Sequence, residues 1–315
     1  MNSNGHIIVS IILPNYNHNS FLEARVESIL NQSYQNFELI VLDDSSTDAS
    51  RKTLERWKQH PQVSHFIVNE QNSGSTVKQW KKGLELATGK WIWIAESDDF
   101  ADVRFLEVML QFANRNTDCG VLYCQSFDTD VSGSVIDTRL TYTSDFLPNH
   151  WASDFVMTGQ EFITTALKRK NVIPNASAVL FKRSLISQST FCRSLLSLKM
   201  ASDWLFWIRL AKQTNVGFVA EPLNYFRTHG ATTRIHYSRE KQLRRIHEEK
   251  IIRSEIFKEF PKCDQSTEIL ALNRRTYVLF SPRHLFKRDL WKLRVNGFSR
   301  ITFALDFLRN LKVLK

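Results

Sequence analysis

Short apolar stretches alternate with helical patterns in the first hundred residues, and this alternation constrains the fold more than any other feature. Four stretches rich in β-branched and aromatic residues are predicted to be buried strands: residues 6–14, 37–42, 63–68 and 91–95. Between them, residues 21–30 and 75–87 place apolar side chains at helical spacing. Strands that alternate with helices form βαβ units, so the sequence predicts an α/β fold built on a mostly parallel sheet with flanking helices.

Acidic residues directly follow two of these predicted strands. Asp43 and Asp44 come after the second strand, and Glu96, Asp98 and Asp99 come after the fourth. In a parallel sheet, the carboxyl ends of the strands open onto the crevice in which ligands bind. We therefore expect these carboxylates to face a substrate, which points to an enzyme.

Plainer roles for several of the same carboxylates remain open at this point. Asp44 and Asp48 lie where turn and helix-cap residues occur, and Asp43 is either structural or in contact with a bound base. Asp102 precedes an apolar helix and suits an N-cap, and Asp203 begins an aromatic helix where it can serve the same purpose. Three acidic residues within four positions after the fourth strand nevertheless exceed what capping requires.

Several short motifs follow one another along the chain: LPNYN at 13–17, VLDDSSTD at 41–48, NSG at 72–74, WIAESDD at 93–99 and SDW at 202–204. Their order resembles that of family 2 glycosyltransferases, which have the GT-A fold. Each motif is weak by itself, but their occurrence in the family's order between residues 7 and 230 argues against coincidence. The resemblance is greatest to members in which a QWxKG segment, here at residues 79–83, precedes the WIAESDD motif.

The resemblance implies a site for a nucleotide sugar. Such a donor carries an aromatic base, a ribose, two phosphates and a labile anomeric carbon, so its site needs a stacking ring, a hydrogen-bond acceptor, a cation and a general base. By resemblance, Tyr16 stacks on the base and Asp44 reads uracil, with Pro14 and Asp43 beside them in the nucleotide site. A UDP-sugar is the expected donor.

A divalent metal, Mg²⁺ or Mn²⁺, is the expected cofactor, because these ions bind a few carboxylate oxygens together with substrate phosphates. By resemblance, Asp99 is the direct metal ligand, Asp98 lies near the ribose or donor sugar within the same metal set, and His229 faces the metal or diphosphate. Glu96 stands where the family usually has aspartate, so it either acts through water or hydrogen-bonds the ribose. Arg227 is expected to contact the donor. Without the resemblance, a lone histidine is more often an ordinary structural residue.

The acceptor side of the expected site is assigned to Asp203 and to two further segments. By resemblance, Asp203 is the catalytic base that deprotonates an acceptor hydroxyl, a role that contributes on the order of 10²–10⁴-fold to rate. One displacement without an enzyme nucleophile inverts the anomeric centre. Residues 173–181 are predicted to be a buried strand, and the polar residues 128–158 a mobile acceptor loop.

The charge is distributed unevenly and suggests a division of the chain. Residues 234–315 contain 20 Lys and Arg against 9 Asp and Glu, so this part carries the whole excess of the net charge of +10. We expect a catalytic domain over residues 1–233, with a nucleotide half at about 1–100 and an acceptor half at about 101–233. Residues 234–315 are predicted to form a basic C-terminal helical region.

The predicted C-terminal helices, at 238–260, 266–280 and 283–314, mix Phe, Trp and Leu with basic residues. Such helices suit the surface of an anionic membrane, where each basic residue contributes roughly 1 kcal/mol, but they are too short and charged to span it. The alternative is a helical cap packed on the catalytic domain. No nucleic-acid-binding module is recognisable. Because the polar first residues lead directly into a strand, we expect no signal peptide and a cytoplasmic location, peripheral on the inner face of the plasma membrane.

The expected function is metal-dependent, inverting sugar transfer to a glycan or lipid-linked acceptor in bacterial surface polysaccharide synthesis. A nucleotidyltransferase is the enzymatic alternative, but it would need a Gly-rich basic loop where the chain has Pro14-Asn15-Tyr16-Asn17. A non-catalytic glycan-binding or scaffold protein is the other alternative. The joint presence of Asp44, Asp98, Asp99 and Asp203 argues against it.

Overall fold

A computed structural model describes residues 7–229, 238–280, 287–296 and 299–311 of the protein. The strands are β1 Val9–Asn15, β2 Phe37–Asp43, β3 Val63–Val68, β4 Trp91–Ile94, β5 Phe100–Ala101, β6 Cys119–Thr129, β7 Val135–Thr138, β8 Phe155–Met157, β9 Val179–Lys182 and β10 Asn215–Arg227. The helices are α1 Asn19–Leu30, α2 Ser50–Glu55, α3 Thr76–Leu86, α4 Phe105–Arg115, α5 Gly159–Glu161, α6 Arg193–Ser197, α7 Ser202–Ala211, α8 Arg239–Glu259, α9 Ser266–Val278, α10 Arg288–Trp291 and α11 Arg300–Leu311. A π-helical turn, Phe162–Leu167, continues α5.

All of these strands join one sheet in the order β3-β2-β1-β4-β9-β6-β10-β5, with β7 beside β6 and β8 beside β10. The four strands of the nucleotide half run parallel, as the sequence predicts. The acceptor half adds β9, which is antiparallel to both β4 and β6, and the parallel pair β6 and β10. The predicted α/β class and central, largely parallel sheet with flanking helices are confirmed.

The inner strands are apolar on both faces because helices cover both sides of the sheet. Adjacent residues of a strand point to opposite faces, so Ile11 and Leu39 belong to one buried cluster while Ile12 belongs to the other. Helices α1 and α4 cover the first face, and α3 and α7 cover the second. Gly83 lets α3 approach β1 closely, because a Cβ at this position would overlap the Ile12 side chain.

Two predictions for the acceptor half differ from the structure. The strand predicted over residues 173–181 is confined to β9, because Asn175 accepts a hydrogen bond from the Ser177 backbone N–H through its side chain and starts a 3₁₀ turn at Ala176–Ala178. The region predicted as an irregular loop over residues 128–158 contains β7 and β8 as well as 3₁₀ turns. The long strand β10 has no counterpart among the predicted elements.

Helix α8 packs on the catalytic part of the chain. Ile252 and Ile256 belong to the same buried cluster as the aromatic face of α7, and Glu255 pairs with Arg209 of α7 at 2.9 Å. The predicted domain boundary falls in residues 230–237, outside the described residues, as does the start of the third predicted C-terminal helix at 281–286. Among the helices described, none combines the length and apolar character needed to cross a membrane.

Candidate active site

The carboxyl ends of β1, β2 and β4 lie side by side and form the edge on which the predicted site residues gather. Asn15 of β1 is in register with Asp43 of β2, and its side-chain amide donates to the Asp43 carboxylate at 2.7 Å. The Ala95 N–H donates to the Ile12 carbonyl at 2.8 Å, which continues the β1–β4 ladder up to Glu96. The parallel sheet therefore brings the two acidic motifs to one edge, as the strand pattern predicts.

Asp43 and Asp48 hold the loops at this edge. Asp43 is buried and also accepts hydrogen bonds from the backbone N–H and the hydroxyl of Ser46, at 2.9 and 2.6 Å. The Asp48 carboxylate accepts from the backbone N–H groups of Asn19 and Ser50, which begin α1 and α2. Asp48 thus bonds the first N–H of both helices, although the N-cap residues are His18 and Ala49, and the observed contacts of Asp43 are those of a turn residue.

The predicted base pocket consists of an exposed ring beside a buried carboxylate. Tyr16, at the end of β1, is 44% exposed, which leaves its ring available for stacking. Asp44 is buried and accepts hydrogen bonds from Asn69, from the Ser73 backbone N–H and hydroxyl, and from Gln79. Pro14 is buried within β1. The reading of uracil by Asp44 stays a prediction, and the structure adds that this carboxylate anchors the loop before α3.

Two histidines and one aspartate form a cluster that fits a divalent metal. Asp98 and His229 meet at 3.0 Å between a carboxylate oxygen and Nε2, and one ring nitrogen of His18 completes a set of three donor atoms within 4.8 Å of one another. Burial alone would raise the pKa of Asp98, but the hydrogen bond with His229 and the charges of His18 and His229 hold it below its ordinary value. Burial lowers the pKa of His18, against the attraction of Asp98. A low pKa favours the ionised form of Asp98 and the neutral form of His18, which are the forms that bind a metal ion.

Asp99 and Arg227, both predicted to face the donor, are turned into the protein. Asp99 is 2% exposed, and its carboxylate accepts hydrogen bonds from the Ser177 hydroxyl at 2.8 Å and from the Arg227 backbone N–H at 3.1 Å. Burial and the charge of Asp98 raise the pKa of Asp99 to about 6. The Arg227 guanidinium packs on Phe21 and Phe100 and donates to a backbone carbonyl. The structure therefore brings Asp98 and His229 together but leaves Asp99 and the Arg227 side chain outside their cluster.

Glu96 is hydrogen-bonded to Trp80, which belongs to the aromatic side chains packed between α3 and α7. Its carboxylate accepts from the Trp80 indole N–H at 2.7 Å, and the Trp80 ring lies 5.5 Å from that of Phe206. Burial and the charge of Asp98 raise the pKa of Glu96 to about 8. Arg25 lies beneath the acidic run, fully buried, with its guanidinium 5.0 Å from the Trp93 ring centroid. Burial lowers the pKa of Arg25 to about 10, which still leaves it a permanent countercharge for the three carboxylates.

Asp203 lies in the first turn of α7 and is half-buried. Its carboxylate accepts a hydrogen bond from the Asn171 side-chain amide at 2.8 Å. From Asn171 the chain runs to Ser177, whose hydroxyl bonds Asp99 and also accepts from the Glu96 N–H at 3.1 Å. One short segment thus links the predicted base to the acidic run after β4.

Three residues in this arrangement were not singled out from the sequence: His18, Trp80 and Asn171. His18 follows the carboxyl end of β1, so the argument that placed Asp43 and Glu96 at the sheet edge applied to it equally. Trp80 stands in the QWxKG segment, which supported the family resemblance but indicated no contact with Glu96. Asn171 carries no signal, since its contact with Asp203 crosses 32 positions of the chain.

Comparisons with known proteins agree on one family. The model of Glycosyl transferase family 2 matches residues 10–188 of this chain. TuaG of Bacillus subtilis, assigned by name to teichuronic acid biosynthesis, is 37% identical over 105 residues. That match covers 33% of this chain and 41% of TuaG. Asp203 and His229 lie beyond the stretch that the family model matches.

Two solved structures are similar over nearly the whole chain. TarS 1–349 of S. aureus, in complex with UDP-GlcNAc, has a TM-score of 0.61 at 17% identity, covering 96% of this chain and 81% of TarS 1–349. The mannosyltransferase PcManGT of Pyrobaculum calidifontis, in complex with GDP-Man and Mn²⁺, has a TM-score of 0.56 at 15% identity, covering 98% and 87%. At these identities the similarity establishes the fold, which is the GT-A arrangement.

Proposed function

Since this chain belongs to Glycosyl transferase family 2, we propose that it transfers a sugar from a UDP-sugar to a hydroxyl group of a glycan or lipid-linked acceptor, with inversion at the anomeric carbon. The observation that carries this proposal is the cluster of His18, Asp98 and His229 at the carboxyl edge of a parallel sheet. Tyr16 and Glu96 lie at the same edge. Asn171 connects this region to Asp203 by donating a hydrogen bond to its carboxylate.

The donor is bound at the carboxyl ends of β1, β2 and β4. Tyr16 stacks on the base, while Asp44 accepts from a ring N–H or fixes the loop that faces the base. Glu96, beside the cluster, accepts a hydrogen bond from the ribose. UDP is the nucleotide that we propose, supported by the UDP-GlcNAc held by TarS, a protein of similar fold.

Asp98, His229 and His18 are the residues that would hold a divalent metal. One carboxylate and two imidazoles suit Mn²⁺ better than Mg²⁺, which prefers oxygen ligands throughout. When bound, the metal neutralises charge on the departing diphosphate. PcManGT, also of similar fold, is in complex with Mn²⁺. Asp99 is assigned to the support of this site, because both of its oxygens are engaged inside the protein.

Asp203 takes the proton from the acceptor hydroxyl, so that the acceptor oxygen attacks the anomeric carbon from the face opposite the diphosphate. Asn171 orients the carboxylate by donating to one of its oxygens. The bond to the diphosphate breaks as the new glycosidic bond forms, and no enzyme-bound sugar intermediate is required. A single displacement of this kind inverts the anomeric centre.

Bacterial surface polysaccharide synthesis is the proposed setting, supported by the similarity to TuaG. Contact with an anionic membrane is supported by α11, which buries Phe303 and Phe307 but exposes Ile301, Leu305 and Leu308 beside basic residues. Such a helix suits the interface between water and lipid. The enzyme would then meet a lipid-linked acceptor on the cytoplasmic face.

A donor screen tests the proposal. UDP, GDP and dTDP release from the corresponding sugar nucleotides is measured with Mn²⁺, with Mg²⁺ and with a chelator. We expect UDP release that requires metal and is lost in Asp98→Asn. Asp102→Asn is the matched control, because Asp102 lies four positions away and its carboxylate accepts from the Arg104 N–H instead of joining the cluster. Equal activity of Asp98→Asn and the control would refute the metal assignment.

A further inference from the structure

Glu248 of helix α8 accepts hydrogen bonds from the backbone of the residues immediately before α7. Its carboxylate is 3% exposed and accepts hydrogen bonds from the backbone N–H groups of Lys199, Met200 and Ala201, at 3.0, 2.8 and 2.9 Å. These amides directly precede Ser202, where α7 begins, and Asp203 is the second residue of that helix. A buried carboxylate bonded to three consecutive amides leaves that stretch of backbone little freedom.

Helix α8 also holds the segment that carries Asn171. Arg253 is buried, and its guanidinium donates to the carbonyls of Lys168 and, at 3.2 Å, Arg169. Asn171 follows two residues later and donates to Asp203. Both backbone segments that set the position of the Asp203 carboxylate are therefore fixed by side chains of α8.

Arg245 of α8 makes a further hydrogen bond to the residues before α7. Arg245 donates to the Met200 carbonyl at 2.6 Å, so α8 binds both the backbone N–H and the backbone carbonyl of Met200. Arg245 and Arg253 also lie over the Trp204 ring, at 5.8 and 5.4 Å from its centroid. The contacts of Arg245, Glu248 and Arg253 meet at the first turn of α7, whereas Glu255 contacts its last turn through Arg209.

We propose that Glu248 is a positioning residue for the catalytic base, and that α8 is a working part of the active site. The inference rests on the proposed role of Asp203. By holding the start of α7, Glu248 keeps the Asp203 carboxylate at the place where it meets the acceptor hydroxyl. Displacement of a catalytic group by about 1 Å costs on the order of 10²-fold in rate.

Glu248→Gln in the full chain tests the proposal, because it preserves size but removes the charge and one acceptor oxygen. Glu255→Gln is the matched control: Glu255 lies on the same helix and bonds Arg209 of α7 at 3.0 Å, away from Asp203. Transfer kcat, donor KM, UDP affinity by calorimetry and Tm are measured for both. We expect Glu248→Gln to lower kcat by roughly 10–100-fold with unchanged UDP affinity and donor KM. We expect Glu255→Gln to lower Tm with kcat within about twofold of wild type.

Equal kcat values for the two variants would overturn the proposal, as would a parallel loss of UDP affinity and kcat in Glu248→Gln. If Glu248→Gln does not fold, Arg245→Met removes the contact with the Met200 carbonyl and leaves the carboxylate in place. It must also lower kcat without changing UDP affinity, and an unchanged kcat would contradict the proposal.

Asp203→Asn separates this inference from the proposed function. Wild-type transfer by Asp203→Asn would refute the role of Asp203 itself. An inactive Asp203→Asn together with a fully active Glu248→Gln would refute only the positioning role.

Discussion

Replacement of Asp203 by asparagine is the most decisive single test of the mechanism. The amide has nearly the shape of the carboxylate and can still accept a hydrogen bond from Asn171, which donates at 2.8 Å in the structure. It cannot accept a proton from the acceptor hydroxyl. Transfer should therefore fall by roughly two to four orders of magnitude, the contribution of a general base.

The same substitution should have a small effect on stability. A hydrogen bond to a charged acceptor becomes one to a neutral acceptor, at a cost of about 1 kcal/mol. Loss of a negative charge in the first turn of α7 costs about 0.3–1 kcal/mol through the helix dipole. Together these effects lower the free energy of unfolding by roughly 1–2 kcal/mol and Tm by a few degrees.

The assay measures sugar transfer, UDP affinity and Tm on the same preparation. We expect UDP affinity close to wild type, because the donor site is formed by the ends of β1, β2 and β4. A variant that folds, binds UDP and transfers at nearly the wild-type rate would refute the base assignment and leave Asp203 as a structural residue in the first turn of α7.

Three further predictions follow from the described geometry. Asp98→Asn should abolish the Mn²⁺ affinity measured by calorimetry. Asp99→Asn should mainly lower Tm, by the equivalent of about 1–3 kcal/mol, because the Asp99 carboxylate is hydrogen-bonded inside the protein. Strong Mn²⁺ binding by Asp98→Asn would contradict the assignment of Asp98 to the metal and Asp99 to its support. Deletion from residue 283 onward should abolish sedimentation with anionic vesicles at low salt. Donor hydrolysis should persist, because α11 packs in a cluster separate from the catalytic core. Undiminished vesicle binding would show that the deleted residues are not the membrane contact. Iodoacetamide at pH 7.5 should label Cys192 well before Cys124, as measured by peptide mass spectrometry. Hydrogen bonds from Ser194 and nearby backbone outweigh burial and lower the pKa of Cys192 to about 7, whereas burial raises the pKa of Cys124 to about 12. Labelling of Cys192 should decline as the pH falls below 7, and equal labelling rates at both thiols would contradict this prediction.

The fold class, the parallel nucleotide half and the edge at which the acidic motifs meet could all be predicted from the sequence. These properties follow from local patterns: an apolar run covered on both faces is a strand, and a carboxylate directly after a parallel strand lies at its ligand-binding end. Asp43, Asp44 and Glu96 are at that edge for this reason. The contact of Asp48 with the Ser50 N–H could also be predicted, because it spans only two positions of the chain.

The tertiary structure decided which of two adjacent aspartates faces the site. Asp98 joins His229 while Asp99 turns inward to Ser177, a choice that depends on the direction of each side chain at a turn and on partners more than seventy positions away. It also decided that His18 joins the cluster and that Glu248 of the basic region holds the start of α7. Local sequence patterns report which face of an element is buried, but hydrogen bonds between distant segments form only when the whole chain is packed.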